Sequence, residues 1–473
     1  MLFNSVGFIY FFLPIVFAFY YFLRKYDELY TKLFLIFSSL FFYAYYEIFF
    51  LPLIISSILF NYLLSTQIKK AEIKKKKLFL IIGIFINILV LFSFKYSNFF
   101  IGLYAHFTEQ RVEYINLIFP LALSFFTLQQ ITFLVDNYQD KDLEFNFVNY
   151  CFYVTFFPQL IAGPILLFKN ISTQLNNNFL TKSLLRDKCI GLYLISLGLF
   201  KKVIISDFFS KYSEISFAHQ QKLTLIDSWI GSISFSIQFY YDFSAYSDLA
   251  MGLALLFGIK IINNFNSPFK AQSIIDFWQR WHISLSNFIN AYMYTPLVRQ
   301  VKNISLIKIS IITICVMTII GFWHGPSINY ILFGLMHGIG LVVNRIYRQL
   351  DFNMGRFVNT TLTLIFINIS FVFFRSDSFS GAINIIKSMF NLDTLFYHTK
   401  FFTIFPKIDF VLFFLIFPFL FYIILFKNNS KEISEKFKIN KKNLIIATIL
   451  FLISSYALIS DYGMENKFIY FQF

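Results

Sequence analysis

The chain has 473 residues, of which 58% are hydrophobic and only 14% are charged. Soluble domains carry roughly 25% charged residues, so this composition excludes a soluble multidomain protein. The net charge of +15 comes from loops between apolar runs, which indicates the basic cytoplasmic loops of a membrane protein and not a nucleic-acid-binding surface.

The first apolar run, residues 6–23, has no basic residue before it and is followed by Arg24 and Lys25. This order is the reverse of a cleavable signal peptide and predicts a helix whose amino end lies outside the cell. The lysine-rich loop at 69–77 follows the third predicted helix and is expected in the cytoplasm, which agrees with that orientation.

Long unbroken apolar runs such as residues 78–94 and 444–458 recur along the chain. At about 20 residues per crossing, they predict roughly ten to twelve transmembrane helices and an all-α polytopic membrane protein. Lysines precede the last crossing, so residues 461–473 are expected on the extracytoplasmic side.

Two apolar segments, residues 120–135 and 148–164, are interrupted by Pro, Gly, Gln and Ser. We therefore expect one or both to be broken or re-entrant helices. Irregular backbone at membrane depth is tolerated only when it is buried in protein or lines a wet cavity. The active region is expected here and further along the chain.

Charged and amphipathic residues enter an apolar helix at 238–248. A charge in hydrocarbon costs several kcal/mol, so Asp242 and Asp248 are expected to face the interior of the bundle. They either form an interhelical hydrogen-bond network or a capped helix break, or they line a polar cavity together with Tyr241 and Ser244.

A loop or helix break is predicted at 264–269, where Asn264 and Pro268 lie. The segment 276–286 that follows predicts an amphipathic interfacial helix. Its notable side chains are Trp278, Arg280, Trp281 and His282. An aromatic belt with a snorkelling arginine explains the tryptophans equally well, but it explains His282 less well.

The sharpest feature is the segment 321–326, GFWHGP, between the apolar runs 309–320 and 328–341. An imidazole has a pKa near neutrality and can act as a general acid or base, which makes His324 a catalytic candidate. His337 lies inside the second run, and a structural histidine with satisfied hydrogen bonds is the alternative for it.

Metal and nucleotide chemistry have no positive support in the sequence. The spacings of the three candidate histidines match no zinc motif, there is no HExxH, and the three cysteines form no CxxC. No GxxxxGK[ST], GxGxxG or GxSxG occurs either. We therefore predict no metal site.

Together, the WHG at 323–325, FWQRWHISLS at 277–286 and HG at 337–338 resemble the membrane-bound O-acyltransferase family. The branch is that of the alginate and peptidoglycan O-acetylation membrane proteins and, more distantly, the teichoic acid D-alanyl transfer protein. Further similar segments are MLFNS at 1–5, FPLALSFFTLQQ at 119–130, FPQLIAGP at 157–164, LFKKVI at 199–204 and YDFSAYSD at 241–248. The resemblance covers most of the chain and is densest at 119–345.

The resemblance implies one domain over 1–473, with amino-terminal helices at 1–114, a catalytic core at 115–345 and carboxy-terminal helices at 346–473 around a central tunnel. It makes His324 the catalytic histidine and His282 the second catalytic position. The implied tunnel residues are Tyr241, Asp242, Ser244, Asp248, Asn264, Trp278, Arg280, Trp281, Trp323 and His337. Phe322, Pro326 and Asn329 depart from the branch pattern and weaken any inference about the acceptor.

The implied activity moves an acyl group, expected to be acetyl, from cytoplasmic acetyl-CoA across the bacterial inner membrane to a polysaccharide such as peptidoglycan or an alginate-like polymer. Acetyl-CoA is expected as a substrate, with no permanently bound cofactor. The expected partners are an extracytoplasmic acetyltransferase or acceptor protein and membrane lipids. The alternative is a proton-coupled transporter or flippase, which internal inverted repeats would favour; none is apparent.

Overall fold

The computed structural model describes residues 1–176, 184–221, 223–350, 354–395, 407–460 and 468–469. Within these residues the regular structure is helical and contains no strand. Seven helical segments are long and apolar enough to cross a membrane, and two shorter apolar helices accompany them. These segments confirm the predicted all-α polytopic fold. Most of the predicted extracytoplasmic segment 461–473 lies outside the described residues.

The amino-terminal helices come first in the chain. They are α1 (Leu13–Leu23), α2 (Glu28–Glu47), α3 (Leu51–Lys70), α4 (Ile73–Lys95), α5 (Ser97–Thr108), α6 (Leu123–Gln139), α7 (Phe147–Thr155), α8 (Phe157–Leu160), α9 (Phe168–Asn176) and α10 (Leu185–Phe200).

A π-helical segment, Lys201–Ser206, then leads into the second half of the chain. The helices there are α11 (Asp207–Ala218), α12 (Leu225–Leu256), α13 (Ile274–Arg280), α14 (Ile283–Phe288), α15 (Thr295–Gln300), α16 (Leu306–His324), α17 (Ile328–Gln349), α18 (Arg356–Arg375), α19 (Phe379–Met389), α20 (Lys407–Phe426), α21 (Ser430–Glu435) and α22 (Lys441–Ser460).

The chain divides into two compact units. The first contains residues 1–199, 246–262 and the described part of 438–472; the second contains 200–245 and the described part of 263–437. Helix α12 contributes to both units, because the boundary falls between Ala245 and Tyr246. The proposal of a single domain over the whole chain stays a prediction.

In the first unit, polar residues join apolar helices. The Nδ2 of Asn87 on α4 donates to the Oδ1 of Asn61 on α3 at 2.7 Å, and the reverse bond is 3.3 Å long. Such pairs are a common way of joining helices where the surroundings are apolar. The predicted interruption of 148–164 is confirmed, because α7 ends at Thr155 and α8 begins at Phe157. The earlier segment, 120–135, instead begins with a turn at 121–122 and continues without interruption in α6 from Leu123.

In the second unit, α16 and α17 form a tightly packed antiparallel hairpin. A side chain at Gly334 would overlap the carbonyl oxygen of Met317, and one at Gly321 would overlap that of Tyr330. Only glycine allows two helix backbones to approach so closely. This packing fixes the turn between the two helices, where the WHG segment lies.

Helix α12 is one uninterrupted 32-residue helix. It carries the polar segment 238–248, for which the sequence left open a capped helix break. The continuous helix excludes that alternative and leaves interhelical bonding or a polar wall.

Candidate active site

His324 is the last residue of α16, and Gly325 ends the helix in an extended conformation. Its side chain is buried, with the residue 6% exposed. The imidazole centroid lies 4.9 Å from the Trp323 ring and 5.3 Å from the Phe374 ring. The first turn of α16 carries Lys308, so the histidine lies at the opposite end of the helix from this basic residue. An apolar wall and a helix terminus therefore frame the imidazole.

His282 lies at a break between two short helices. Helix α13 ends at Arg280 and α14 begins at Ile283, while His282 adopts φ +45° and ψ 55°. The prediction of one continuous amphipathic helix over 276–286 is wrong. A left-handed conformation is unusual for a residue with a side chain and is kept only where the surroundings enforce it.

A clasp formed by residues 264–266 enforces the break. The Asn264 carbonyl accepts from the Ile283 N–H at 3.0 Å, and the Asn264 Oδ1 accepts from the Ser284 N–H at 3.0 Å. On the other side of the break, the Asn266 N–H donates to the Arg280 carbonyl at 2.9 Å. Residues 264–266 are themselves non-helical, so their backbone groups are available to this segment.

Asn264 also sets the protonation of the His282 ring. The His282 Nδ1 lies 3.3 Å from the Asn264 Oδ1, which is an acceptor only. Nδ1 must therefore carry the hydrogen, and the basic lone pair of the neutral ring is on Nε2. His282 lies outside the candidate membrane spans, and desolvation by burial lowers its pKa to about 3. Near pH 7 the ring is neutral.

His337 on α17 shows a different arrangement. Its Nδ1 accepts from the Trp278 indole N–H at 3.1 Å, and its Nε2 lies 3.1 Å from the Ser370 hydroxyl oxygen. That hydroxyl donates to the Ile367 carbonyl at 2.7 Å, so it accepts the Nε2–H. Both ring nitrogens are therefore occupied by bonds within the protein, as expected of a structural histidine.

Aromatic rings connect the two candidate catalytic histidines within the second unit. Successive ring centroids are between 4.7 and 6.4 Å apart. The series runs His324, Phe374, Phe239, Trp281, Phe243, His282. Trp278 and Trp281 are both buried, so neither forms a lipid-facing aromatic belt.

A cavity of about 380 Å³ lies beside this cluster. Its walls come from α13, α14, the following π-helical segment Ile289–Tyr294, α16 and α17. Ile283 lines the cavity directly after His282, and Met317 lines it from α16. Met317 lies two helical turns, about 10 Å, before His324 on the same helix face. The cavity therefore lies against the face of α16 that carries His324, but its lining ends at Met317 and includes neither His324 nor His282.

Asp242 on α12 forms a buried ion pair. The Lys202 Nζ lies 2.9 Å from an Asp242 carboxylate oxygen and 3.0 Å from an Asp207 carboxylate oxygen. The side chains of Lys202 and Asp242 are 3% and 1% exposed. A charge at this depth requires such a partner. The pairing supports the interhelical-network interpretation of Asp242.

The other predicted tunnel residues occupy varied surroundings. Tyr241, Ser244 and Asp248 on α12 are buried, and Trp323 is half-buried. The Arg280 side chain is partly exposed and bonds the Asp276 carboxylate at 2.7 Å.

Sequence reasoning missed three partners of these residues. Lys202 lies within the LFKKVI segment, and its charge in an apolar helix was a signal that a buried acid would be near. Ser370 and Phe374 on α18 carry no such signal, because serine and phenylalanine are common in apolar helices. Among the described residues, no group of three or more His, Cys, Asp or Glu side chains is placed to hold a metal ion.

Comparison with known proteins identifies the same part of the chain. Residues 107–382 match the profile of the MBOAT, membrane-bound O-acyltransferase family. This match includes both candidate histidines, the residues of the clasp and the whole cavity lining.

Several curated proteins are similar over most of the chain. A peptidoglycan O-acetyltransferase of Helicobacter pylori is 39% identical over 83% of this chain and 80% of its own length. A probable alginate O-acetylase of Pseudomonas aeruginosa is 32% identical over 83% of this chain and 76% of its own length. A teichoic acid D-alanyltransferase of Bacillus subtilis is 26% identical over 56% of this chain and 70% of its own length.

Proposed function

The chain belongs to the membrane-bound O-acyltransferase family, and on that premise we propose that it transfers acetyl groups from a cytoplasmic acetyl-CoA donor to a cell-envelope polysaccharide. The protein is a multi-pass membrane O-acyltransferase. The observation that carries the proposal is the position of His324, a buried imidazole at the end of a membrane-length helix whose same face lines a cavity about 10 Å further back, at Met317.

Charge distribution supports the direction of transfer. Lys302 and Lys308 flank the start of α16, and Arg345 and Arg348 lie near the end of α17. Basic residues are retained on the cytoplasmic side of membranes. The cavity, which Arg345 lines, then lies towards the cytoplasm, and His324 lies towards the outer face. By the same rule we expect both termini outside the bacterial inner membrane.

In the proposed reaction, the His324 imidazole accepts the proton of the incoming hydroxyl as its oxygen attacks the thioester carbonyl. The tetrahedral intermediate then breaks its carbon–sulfur bond, and the departing thiolate takes the proton back from the imidazolium. The products are an ester and a free thiol. A positioned base of this kind typically contributes about 10²- to 10⁴-fold to the rate.

We assign His282 the role of acceptor of a hydrogen bond through Nε2. The clasp at Asn264 fixes Nδ1–H as the donor atom, so the opposite nitrogen carries the lone pair. A neutral ring in this tautomer can orient a hydroxyl or thiol hydrogen during the transfer.

The acceptor class follows from the relatives. Two relatives that align over 83% of the chain are named for peptidoglycan or alginate O-acetylation. Peptidoglycan is the polymer to test first, because that relative has the higher identity of the two. We propose that an extracytoplasmic partner completes the transfer, because the described residues outside the candidate spans form single helices, of which α12 is the longest, and connecting loops.

Mass analysis of envelope polysaccharides tests the function. Cells lacking the gene are compared with cells complemented by the wild type or by His106→Ala, whose histidine is exposed on α5. We expect O-acetyl groups on one polymer to disappear in the deletion strain and to return with both complementing genes. Unchanged acetylation of every envelope polymer would contradict the proposal.

A further inference from the structure

The cavity beside the active site has one distinctive polar feature. Among the described residues that line it, Arg345 is the one charged side chain, and no acidic side chain balances it. Its Nη2 donates to the Tyr294 hydroxyl at 3.2 Å, while its Nη1 is buried without a hydrogen-bond partner. Desolvating a guanidinium without an anionic partner is costly. The cavity is therefore suited to a ligand that brings an anion to Arg345.

The rest of the cavity lining indicates the remainder of the ligand. Apolar side chains alternate with neutral hydrogen-bonding groups. The polar ones are Gln279, Ser286, Asn287, Asn290 and Thr313. Such a lining fits a slender chain that carries amides or hydroxyls, because the amide side chains of Gln279, Asn287 and Asn290 can bond to it. The Ser286 and Thr313 hydroxyls already donate to the Trp278 and Ile309 carbonyls.

The register of α16 and α17 gives the distance between the anion and the reaction centre. Gly338 lies against Ile314 and Met317 in the antiparallel pair. Arg345 is seven residues further along α17 and so lies level with about residue 308, which is about 24 Å of helix from His324. Side chains lean towards the amino end of their own helix, so Arg345 and His324 lean towards each other, and the gap shortens to roughly 15 Å.

A flexible chain of about a dozen bonds can span such a gap. In an extended polypeptide, the three backbone bonds of one residue cover about 3.3–3.6 Å, and a chain of similar single bonds has a similar reach. A 4′-phosphopantetheine thioester has this architecture: a phosphate ester, a two-amide arm of about that length and a terminal acyl thioester. Guanidinium groups bind phosphate through paired N–H donors.

We propose that Arg345, held by Tyr294, binds the phosphate of a phosphopantetheine-type acyl donor and thereby sets the length of donor arm that reaches His324. This inference rests on the proposed acyl transfer and adds a specificity-determining residue to it. Coenzyme A and an acylated carrier protein both carry this phosphate ester, so the shared group is what Arg345 recognises.

The test measures equilibrium binding of 4′-phosphopantetheine and of pantetheine to the full-length protein in phospholipid-free detergent. The wild type should bind the phosphorylated compound about 10- to 100-fold more tightly, as expected for a charge-assisted hydrogen bond. Arg345→Gln should remove this preference, and Arg345→Lys should keep part of it. Tyr294→Phe should weaken it by a smaller factor.

Arg348→Gln is the matched control, because Arg348 is exposed three residues further along the same helix. It should keep the wild-type preference. An unchanged preference in Arg345→Gln, or an equal loss in Arg348→Gln, would overturn the assignment. Competition by an anionic phospholipid that depends on Arg345 would assign the site to a lipid headgroup and overturn the donor assignment.

Binding and turnover separate the two proposals. If the phosphate preference depends on Arg345 but no acetyl group is transferred from acetyl-CoA or acetyl-4′-phosphopantetheine, the site stands and the proposed function fails. If acetyl transfer occurs and the KM for acetyl-4′-phosphopantetheine is the same in Arg345→Gln as in the wild type, the function stands and the assignment of Arg345 fails.

Discussion

Two buried histidines of the second unit, His337 and His282, differ in what their ring nitrogens do. Both nitrogens of His337 are occupied by Trp278 and Ser370. In His282 one nitrogen is held by Asn264, and the bond defines the other as the basic atom. Burial alone therefore does not distinguish the two residues, whereas the hydrogen bond at Nδ1, which His337 accepts and His282 donates, does.

The buried polar residues divide into those that we expect to hold the fold together and those proposed to act in catalysis. We call the first group the closed set: His337, Trp278, Ser370, Lys202 and Asp242. We call the second group the poised set: His282, Asn264 and His324. Changes in the closed set should mainly lower stability, and changes in the poised set should mainly lower the rate of the folded protein.

The largest effect is expected for His324→Ala in the poised set. Removing a general base should lower the acetyl-transfer rate about 10²- to 10⁴-fold, while the midpoint of thermal unfolding stays within a few degrees of the wild type. The measurement is label transfer from acetyl-CoA in membranes of the complemented deletion strain. His106→Ala is the control, and a fall in both variants would remove His324 from the mechanism.

Lys202→Met tests the closed set. The substitution leaves Asp242 buried without its cation and should cost about 3–5 kcal/mol of unfolding free energy. Thermal unfolding of the purified protein measures this. Lys169→Met breaks the exposed pair with Asp140 and should cost less than about 1 kcal/mol. Equal stability of the two variants would show that the buried pair contributes nothing.

His337→Ala should be next in size. It leaves the Trp278 indole N–H unpaired and opens a space, which together cost about 2–4 kcal/mol. The rate per folded molecule should stay near that of the wild type. A variant of normal stability with a rate as low as that of His324→Ala would move His337 from the closed set to the poised set.

The smallest effect is expected for Asn264→Asp, measured as a pH profile. The carboxylate still accepts the Nδ1–H, but its negative charge stabilises the imidazolium and raises the pKa of His282 from about 3. Activity that needs the neutral ring is lost as the pH falls through this pKa. The fall in the transfer rate on the acid side of the pH profile should therefore occur at a higher pH than in the wild type.

Asn264→Leu is the companion variant, because it removes the acceptor and adds no charge. Its transfer rate should fall about tenfold, within the range for loss of one hydrogen bond. The pH at which the rate falls on the acid side of its profile should not be higher than in the wild type. Identical pH profiles of Asn264→Asp and the wild type would exclude the contact between Asn264 and His282.

Much of this fold could be predicted from hydrophobic runs and loop charges. The helices at 78–94 and 444–458 and the turn after His324 follow from apolar length and from glycine and proline positions. The break at His282 could not be predicted, because residues 276–286 have helical spacing. The break depends on hydrogen bonds from residues 264–266, and such contacts are set by tertiary packing.

The sequence named candidate residues but did not indicate which of them the structure brings together. Trp278 and His337 carried the same sequence signal as His282, namely a polar or aromatic residue in an apolar setting. Their separation needs the partners on other helices, above all Ser370, which no local pattern indicates. The pairing of Lys202 with Asp242 was easier to predict, since a buried carboxylate requires a nearby cation and Lys202 is a charged residue in an apolar helix.

The most direct measurement of the central claim is the O-acetyl content of the acetylated polymer in cells expressing His324→Ala or His337→Ala at equal membrane abundance. The account predicts loss of nearly all acetylation with His324→Ala and near-wild-type acetylation with His337→Ala. Wild-type acetylation with His324→Ala, or equal loss in the two variants, would contradict it.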